Sequence, residues 1–120
     1  MSRYSKYGNR KVEVDGHRFD SKAEAMRYLE LKLLNQAGQI SQLELQPAFE
    51  LLPARKVAGQ RLRKLTYVAD FSYTDEDGVR HIEDVKGVET EVFRIKQKLL
   101  LHTHASQFDS GAWVFDIIKY

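Results

Sequence analysis

The segment AWVFDII at residues 112–118 constrains the fold of this chain more than any other stretch. It is almost continuously apolar and rich in β-branched and aromatic residues, which is typical of a strand covered on both faces. The segment before it, from Glu89 to about Ala105, repeats apolar residues at helical spacing. Since a helix therefore separates two strand-like segments, we expect a right-handed crossover into a parallel neighbouring strand.

Two patterns near the N-terminus predict a hairpin followed by a helix. The segment KVEVDGHRFDS alternates around Asp15-Gly16, a dipeptide that favours the primed turn of a two-residue hairpin. Ser21 and Glu24 then have the spacing of a capping box. Apolar residues at helical spacing extend the predicted helix over residues 21–37.

Alternating patterns in the middle of the chain predict further strands. Residues 43–51 alternate around Pro47 and predict one kinked strand or two short ones, because proline cannot donate a ladder hydrogen bond. After a basic loop at 55–64, residues 64–86 predict one antiparallel hairpin with its turn at TDEDG. The predicted α/β order is a helix, three strands, a helix and a strand, preceded by the extra N-terminal β-hairpin.

Length and composition favour one soluble domain. The 120 residues suffice for a single core, which we place at residues 10–120, after a flexible basic arm at residues 1–9. The absence of cysteine excludes disulfides, thiolate metal sites and cysteine nucleophiles. No apolar run is long enough for a bilayer and the N-terminus has no secretory pattern, so we expect a cytoplasmic protein without a membrane partner.

Charge is distributed unevenly along the chain. Residues 1–12 and 55–64 are basic and contain no acid, whereas acids concentrate in residues 75–91. Basic segments bind polyanions by displacing counterions, and solvated loops are the alternative. The predicted nucleic-acid contacts are Arg3, Lys6, Arg10, Lys11, Arg55, Lys56, Arg61, Arg63 and Lys64.

The segment HIEDVKG at residues 81–87 contains the candidate chemistry. Asp84 and Lys86 are two apart in a strand and share a face, and Asp70 lies on the other strand of the predicted hairpin. Neighbouring carboxylates repel each other unless a cation lies between them, so the pair suits Mg²⁺ or Mn²⁺. Lys86 would act on the attacking water or on the developing charge, and Glu24 would add or assist a metal contact.

Each of these residues also has a structural interpretation. The capping box alone explains Glu24. Asp70 could be satisfied by a salt bridge to Lys86, and Asp84 with Lys86 could be an ordinary ion pair on a strand. Glu83 fits a solvated or sheet-opposite residue better than a ligand, and Gln46 fits a strand-end amide bonded to backbone better than a neighbour of the site.

The segments SKAEAMRYLELKLL, YVADFSY and HIEDVKG, in that order, resemble the PD-(D/E)xK nuclease superfamily. More closely, FDSKAEAMRYLEL, LQPAFELL, YVADFSY and EDVKG resemble a family of small phage-encoded proteins related in pattern to phage Holliday-junction resolvases. The resemblance spans roughly residues 10–119. It implies a restriction-endonuclease-like core, with a mixed sheet flanked by helices.

The resemblance also implies roles for individual residues. The catalytic positions would be Glu24, Asp70, Asp84 and Lys86. The metal would be held by Asp70, Asp84, the main-chain carbonyl of Val85, and Glu24 directly or through water. Lys96 would contact a phosphate. Two departures from the pattern are Ala69, in place of the name-giving proline, and an aspartate rather than the more frequent glutamate at position 84.

These observations predict a Mg²⁺- or Mn²⁺-dependent DNA endonuclease that hydrolyses phosphodiester bonds without a small-molecule cofactor. A branched, Holliday-junction-like substrate follows from the resemblance alone. Cutting a junction takes two symmetric nicks, which would require a homodimer. The alternatives are a non-cleaving nucleic-acid-binding or recombination accessory module on a nuclease fold, and a structural domain whose acids are surface decoration.

Overall fold

The computed structural model describes residues 10–120 as an α/β fold with a mixed sheet and three helices. The helices are α1 (Lys22–Gln36), α2 (Glu91–Thr103) and α3 (Ala105–Asp109). The strands are β1 (Val12–Val14), β2 (His17–Phe19), β3 (Ser41–Leu45), β4 (Ala48–Leu52), β5 (Arg55–Val57), β6 (Gln60–Leu62), β7 (Leu65–Val68), β8 (Phe71–Thr74), β9 (Arg80–Lys86) and β10 (Trp113–Lys119). The predicted arm at residues 1–9 lies outside the described residues.

The N-terminal hairpin and the first helix form as predicted. Strands β1 and β2 pair antiparallel around Asp15 and Gly16, whose φ angles of 54° and 77° belong to a primed turn. Helix α1 begins after Ser21, whose hydroxyl accepts a hydrogen bond from the Glu24 backbone N–H at 3.1 Å. The local sequence therefore determines where this helix begins.

The central sheet has the strand order β10-β9-β8-β3. Strands β9 and β10 are parallel, which confirms the predicted parallel connection through α2, and the other neighbours are antiparallel. The prediction that the last strand is covered on both faces is confirmed in part. Ile118 packs against one apolar cluster, and Trp113, Phe115 and Ile117 pack against the other, but residues 113–118 are only partly buried in this edge strand.

The prediction of one hairpin over residues 64–86 is confirmed for residues 71–86 and wrong for residues 64–68. Strand β7 pairs with β4 in a separate two-stranded sheet, and only β8 pairs with β9. The chain passes between the two sheets at Ala69 and Asp70. Residues 43–51 likewise divide into β3 and β4 at Gln46 and Pro47, which confirms the second of the two predicted arrangements. The basic segment predicted as a loop contains the β5–β6 hairpin.

Two apolar clusters pack on opposite faces of β9. Val85 belongs to the cluster that contains Tyr28 and Leu31 of α1, and Ile82 belongs to the cluster that contains Phe93 and Leu100 of α2. The helices thus cover the sheet from both sides. None of the helices in the described part of the chain has the length and apolar character needed to cross a membrane.

Candidate active site

Glu24 lies in the first turn of α1 and is buried, with 5% of its surface exposed. Burial is the main reason that the pKa of its carboxyl rises from 4.5 to about 7, and the nearby charge of Asp70 adds to the increase. A backbone hydrogen bond at Asp20 opposes this change. Capping alone does not explain a buried acid whose charge is opposed by neighbouring carboxylates.

Asp70 lies at the point where the chain leaves β7 and enters β8. Its backbone N–H donates to the Glu83 carbonyl at 3.0 Å, and its carbonyl accepts from the Gln46 N–H at 2.9 Å. Its side-chain Oδ2 accepts a hydrogen bond from the Val85 N–H at 2.7 Å. Burial raises the pKa of Asp70, whereas the Val85 N–H and the charge of Lys86 lower it. Backbone contacts therefore fix this carboxylate against β9.

Asp84 and Lys86 share a face of β9, with 3.3 Å between Asp84 Oδ1 and Lys86 Nζ. Lys86 Nζ also lies 4.7 Å from the centre of the Phe93 ring, within range of a cation–π contact. The alternative salt bridge between Lys86 and Asp70 is not formed, because Lys86 pairs with Asp84 instead.

Asp84 is 2% exposed, and its Oδ2 has no hydrogen-bond partner among residues 10–120. Burial raises the pKa of Asp84 from 3.8 to about 6, even though Lys86 lowers it. A buried ionised oxygen without a partner is costly, so binding of a proton or a cation would stabilise it.

Two cavities adjoin these groups. One of about 410 Å³ is lined by Glu24, Asp70, Val85 and Lys86 among others, and a second of about 440 Å³ is lined by Glu24, Asp70 and Gln46 among others. Asp84 lines neither cavity. The structure therefore brings two of the three predicted acids to the open space and leaves the third buried beside them.

The donor set suits a divalent ion only in part. Within residues 10–120, no three acidic or histidine side chains are grouped closely enough to enclose a metal. Mg²⁺ needs only one or two protein carboxylates, since it keeps several waters, and Glu24 and Asp70, which line both cavities, can supply these. Burial is the main reason that the pKa values of all three acids are raised, so a bound cation would stabilise their charged forms.

The model of one protein family matches residues 4–120, which is nearly the whole chain and includes every residue of the candidate site. The chain belongs to this family, described as "Protein of unknown function (DUF1064)". No curated protein and no solved structure matches the chain. The family assignment therefore brings no activity with it, and the function has to be argued from the site.

Glu83 lies beside Asp84 but points to the other face of β9. Arg27 donates to both of its oxygens, at 2.8 and 2.7 Å, and the Tyr73 hydroxyl donates at 2.6 Å. The sheet-opposite interpretation of Glu83 is confirmed. The solvated one is wrong, because only 1% of Glu83 is exposed.

Gln46 is the neighbour of the site that sequence reasoning set aside. Its backbone N–H, rather than its side-chain amide, bonds to the Asp70 carbonyl, and Gln46 lines a cavity together with Glu24 and Asp70. Its φ of 52° is unusual for a residue with a side chain. The available signal was the interruption of the alternating pattern at Gln46-Pro47.

The predicted nucleic-acid contacts occupy different environments. Arg3 and Lys6 lie outside the described residues. Arg10 is exposed, Lys11 pairs with Asp20 at 2.7 Å, and Lys96 is partly buried on α2. The remaining five are all exposed in and directly after the β5–β6 hairpin, namely Arg55, Lys56, Arg61, Arg63 and Lys64.

Proposed function

We propose that this chain is a divalent-metal-dependent DNA endonuclease of the PD-(D/E)xK type. The observation that carries the proposal is the unpartnered, buried oxygen of Asp84 beside Lys86, on a strand against which Asp70 is fixed. The order of the elements adds support. Helix α1, the sheet strands β3, β8 and β9, helix α2 and strand β10 follow the helix, three-strand, helix, strand order of a restriction-endonuclease-like core.

In this proposal the chain's own groups bind the ion and handle protons. Mg²⁺ or Mn²⁺ supplies a Lewis acid for the phosphate oxygens. Asp70, which is fixed through its Oδ2, and Asp84, through its unpartnered Oδ2, would hold the ion. Glu24, with a pKa of about 7, can take up a proton from water near neutral pH. Lys86 donates hydrogen bonds to the phosphate or to the attacking water.

The substrate and the assembly belong to the same proposal. A branched DNA such as a four-way junction follows from the resemblance to phage resolvases. Symmetric cutting of a junction then needs a homodimer, in which two copies present one site each. Sedimentation of the protein with and without a junction measures this directly, and a monomer in both conditions contradicts the paired-nick model.

The test is cleavage of labelled four-way junction, flap, single-stranded and linear duplex DNA. Each substrate is incubated with Mg²⁺, Mn²⁺ or EDTA, using wild type, Asp84→Ala and Asp109→Ala. Asp109 is an exposed aspartate at the end of α3 and serves as the matched control. We expect metal-dependent cutting that is lost in Asp84→Ala and retained in Asp109→Ala.

A specific observation favours one other function, the non-cleaving nucleic-acid module. Asp84 lines neither cavity, and no three-ligand group exists in residues 10–120. For this module, DNA binding would be retained without cutting of any substrate, and Asp84→Ala would leave binding unchanged. That result would rule out the endonuclease.

A further inference from the structure

The hairpin formed by β5 and β6 is unlike the rest of the described chain. All six of its strand residues are exposed, and it packs against no other helix or strand of residues 10–120. An isolated two-stranded hairpin is only marginally stable in water. Packing in the apolar clusters therefore does not explain why this hairpin forms.

Its charges make it less stable still. Lys56 lies directly opposite Arg61 in the strand register, and like charges in this position repel each other. The chain from residue 51 to residue 69 contains five cations and no acid. Within the described part of the chain, no carboxylate pairs with either of these two residues. A polyanion would remove this repulsion.

The two broad faces of the hairpin both carry cations. Because cross-strand partners share a face, Lys56 and Arg61 project from one side, and Arg55 projects from the other together with its partner Leu62. The turn consists of Ala58 and Gly59, with φ angles of 50° and 78°. The tip of the hairpin is therefore narrow, with no side chain larger than a methyl group.

From these features we propose that the β5–β6 hairpin enters the major groove of double-stranded DNA, tip first. Strands of a sheet lie about 5 Å apart, and the major groove is about 12 Å wide, so a two-stranded ribbon fits. Lys56 and Arg61 then face the phosphates of one groove wall, and Arg55 faces those of the other. The small tip reaches toward the bases.

This inference rests on the proposed function for the identity of the polyanion as DNA, and it specifies the substrate class. A groove exists only where two strands are paired. The hairpin therefore distinguishes DNA with a duplex arm from single-stranded DNA, which provides phosphates without groove walls.

The test measures binding of fluorescein-labelled duplex, and of one of its strands alone, by anisotropy in EDTA over a range of salt concentrations. The variants are Lys56→Gln/Arg61→Gln and the charge-conserving control Lys56→Arg/Arg61→Lys. Each lost phosphate contact lowers the slope of log K against log salt by about 0.9 on duplex, so the double Gln variant loses about 1.8. The control keeps the wild-type slope.

Single-stranded DNA gives the decisive comparison. We expect the double Gln variant to bind the single strand with nearly the wild-type slope and to displace methyl green, a major-groove dye, from duplex less well than wild type does. An unchanged slope on duplex, or an equal loss of slope on both DNAs, overturns the inference.

The two proposals fail in different ways. Binding is measured in EDTA, so it does not depend on cutting. If the protein binds duplex through the hairpin but never cuts, the endonuclease proposal is rejected and the groove proposal stands. If the double Gln variant cuts normally and its slope of log K against log salt on duplex is unchanged, the groove proposal is rejected and the endonuclease proposal stands. Urea unfolding of each variant checks folding, and we expect no change because the hairpin packs against no other element.

Discussion

Glu83 and Asp84 are consecutive acids on one strand, and they have opposite surroundings. Both are almost fully buried, at 1% and 2% exposed. Glu83 accepts three hydrogen bonds from Arg27 and Tyr73, whereas Asp84 has one weak lysine contact and an oxygen without a partner among the described residues. Burial alone therefore does not distinguish these two acids, but hydrogen-bond satisfaction does.

The difference assigns each acid a different role. The Arg27–Glu83 pair connects α1 to β9, and Arg27 lies one turn beyond Glu24 on the same helix. The pair thus holds the helix that carries one site acid against the strand that carries another. Asp84 contributes no such connection, so its burial costs stability that a bound proton or cation would restore.

The largest effect is expected from Glu83→Ala. Removing this carboxylate leaves the Arg27 charge and the Tyr73 hydroxyl without their partner, and breaking a buried pair in this way costs about 3–5 kcal/mol. Urea unfolding measures the loss, with Asp84→Asn as the adjacent control. If Glu83→Ala and Asp84→Asn were equally stable, the contrast between the hydrogen-bonded Glu83 and the unpartnered Asp84 would be contradicted.

The second expected effect is that folding stability depends on pH through the titration of Asp84. Its folded pKa, about 6, lies above the ordinary value of 3.8, so the folded state retains a proton that the unfolded state has lost. The contribution of Asp84 to the free energy of unfolding is therefore fully present below pH 3.8. It is lost as pH rises through about 6, and the loss is about 3 kcal/mol at most.

Glu24, Asp70 and His81, whose pKa values are also raised, contribute with the same sign in both proteins. The difference between wild type and Asp84→Asn therefore reports the Asp84 contribution together with the small part of the Glu24 shift that the Asp84 charge causes. The desolvation of His81 lowers its pKa, but hydrogen bonds to Asp75 and Asp116 outweigh it. Thermal unfolding in EDTA between pH 4 and pH 8 gives the curves. Parallel curves for the two proteins would show that Asp84 does not titrate in this range.

The smallest effect is expected from Tyr73→Phe. This change removes one donor to Glu83 but leaves both Arg27 contacts, so it costs about 1.5 kcal/mol, typical of a hydrogen bond to a charged group. Urea unfolding again provides the value. A loss as large as that of Glu83→Ala would mean that the hydroxyl, rather than the ion pair, holds Glu83.

Patterns that depend on neighbouring residues were predictable from the sequence. The turn at Asp15-Gly16, the cap at Ser21 and the parallel β10 all follow from local chemistry or from chain order. That Asp84 and Lys86 share a face of their strand could be predicted equally well, because residues two apart in a strand point to the same side.

The pairing partners of the strands were harder to predict from the sequence. Tyr67, Ala69, Phe71 and Tyr73 alternate without interruption and are all buried, as predicted. The first two pack in the cluster with α2, and the last two pack in the cluster with α1. Alternation reports which side chains are buried but not against which sheet, so the break at Asp70 gave no sequence signal. The Arg27–Glu83 contact, 56 residues apart along the chain, gave none either.

The parallel pairing of β9 with β10 has a consequence for synthesis on the ribosome. The strand that carries Asp84 and Lys86 can pair with β8 as soon as the intervening turn has emerged. Its other neighbour is β10, at residues 113–119, so that side of β9 remains open until β10 has left the exit tunnel. A nascent chain therefore carries every acid of the candidate site before the sheet around them is complete, and we expect the site to form only after β10 has emerged.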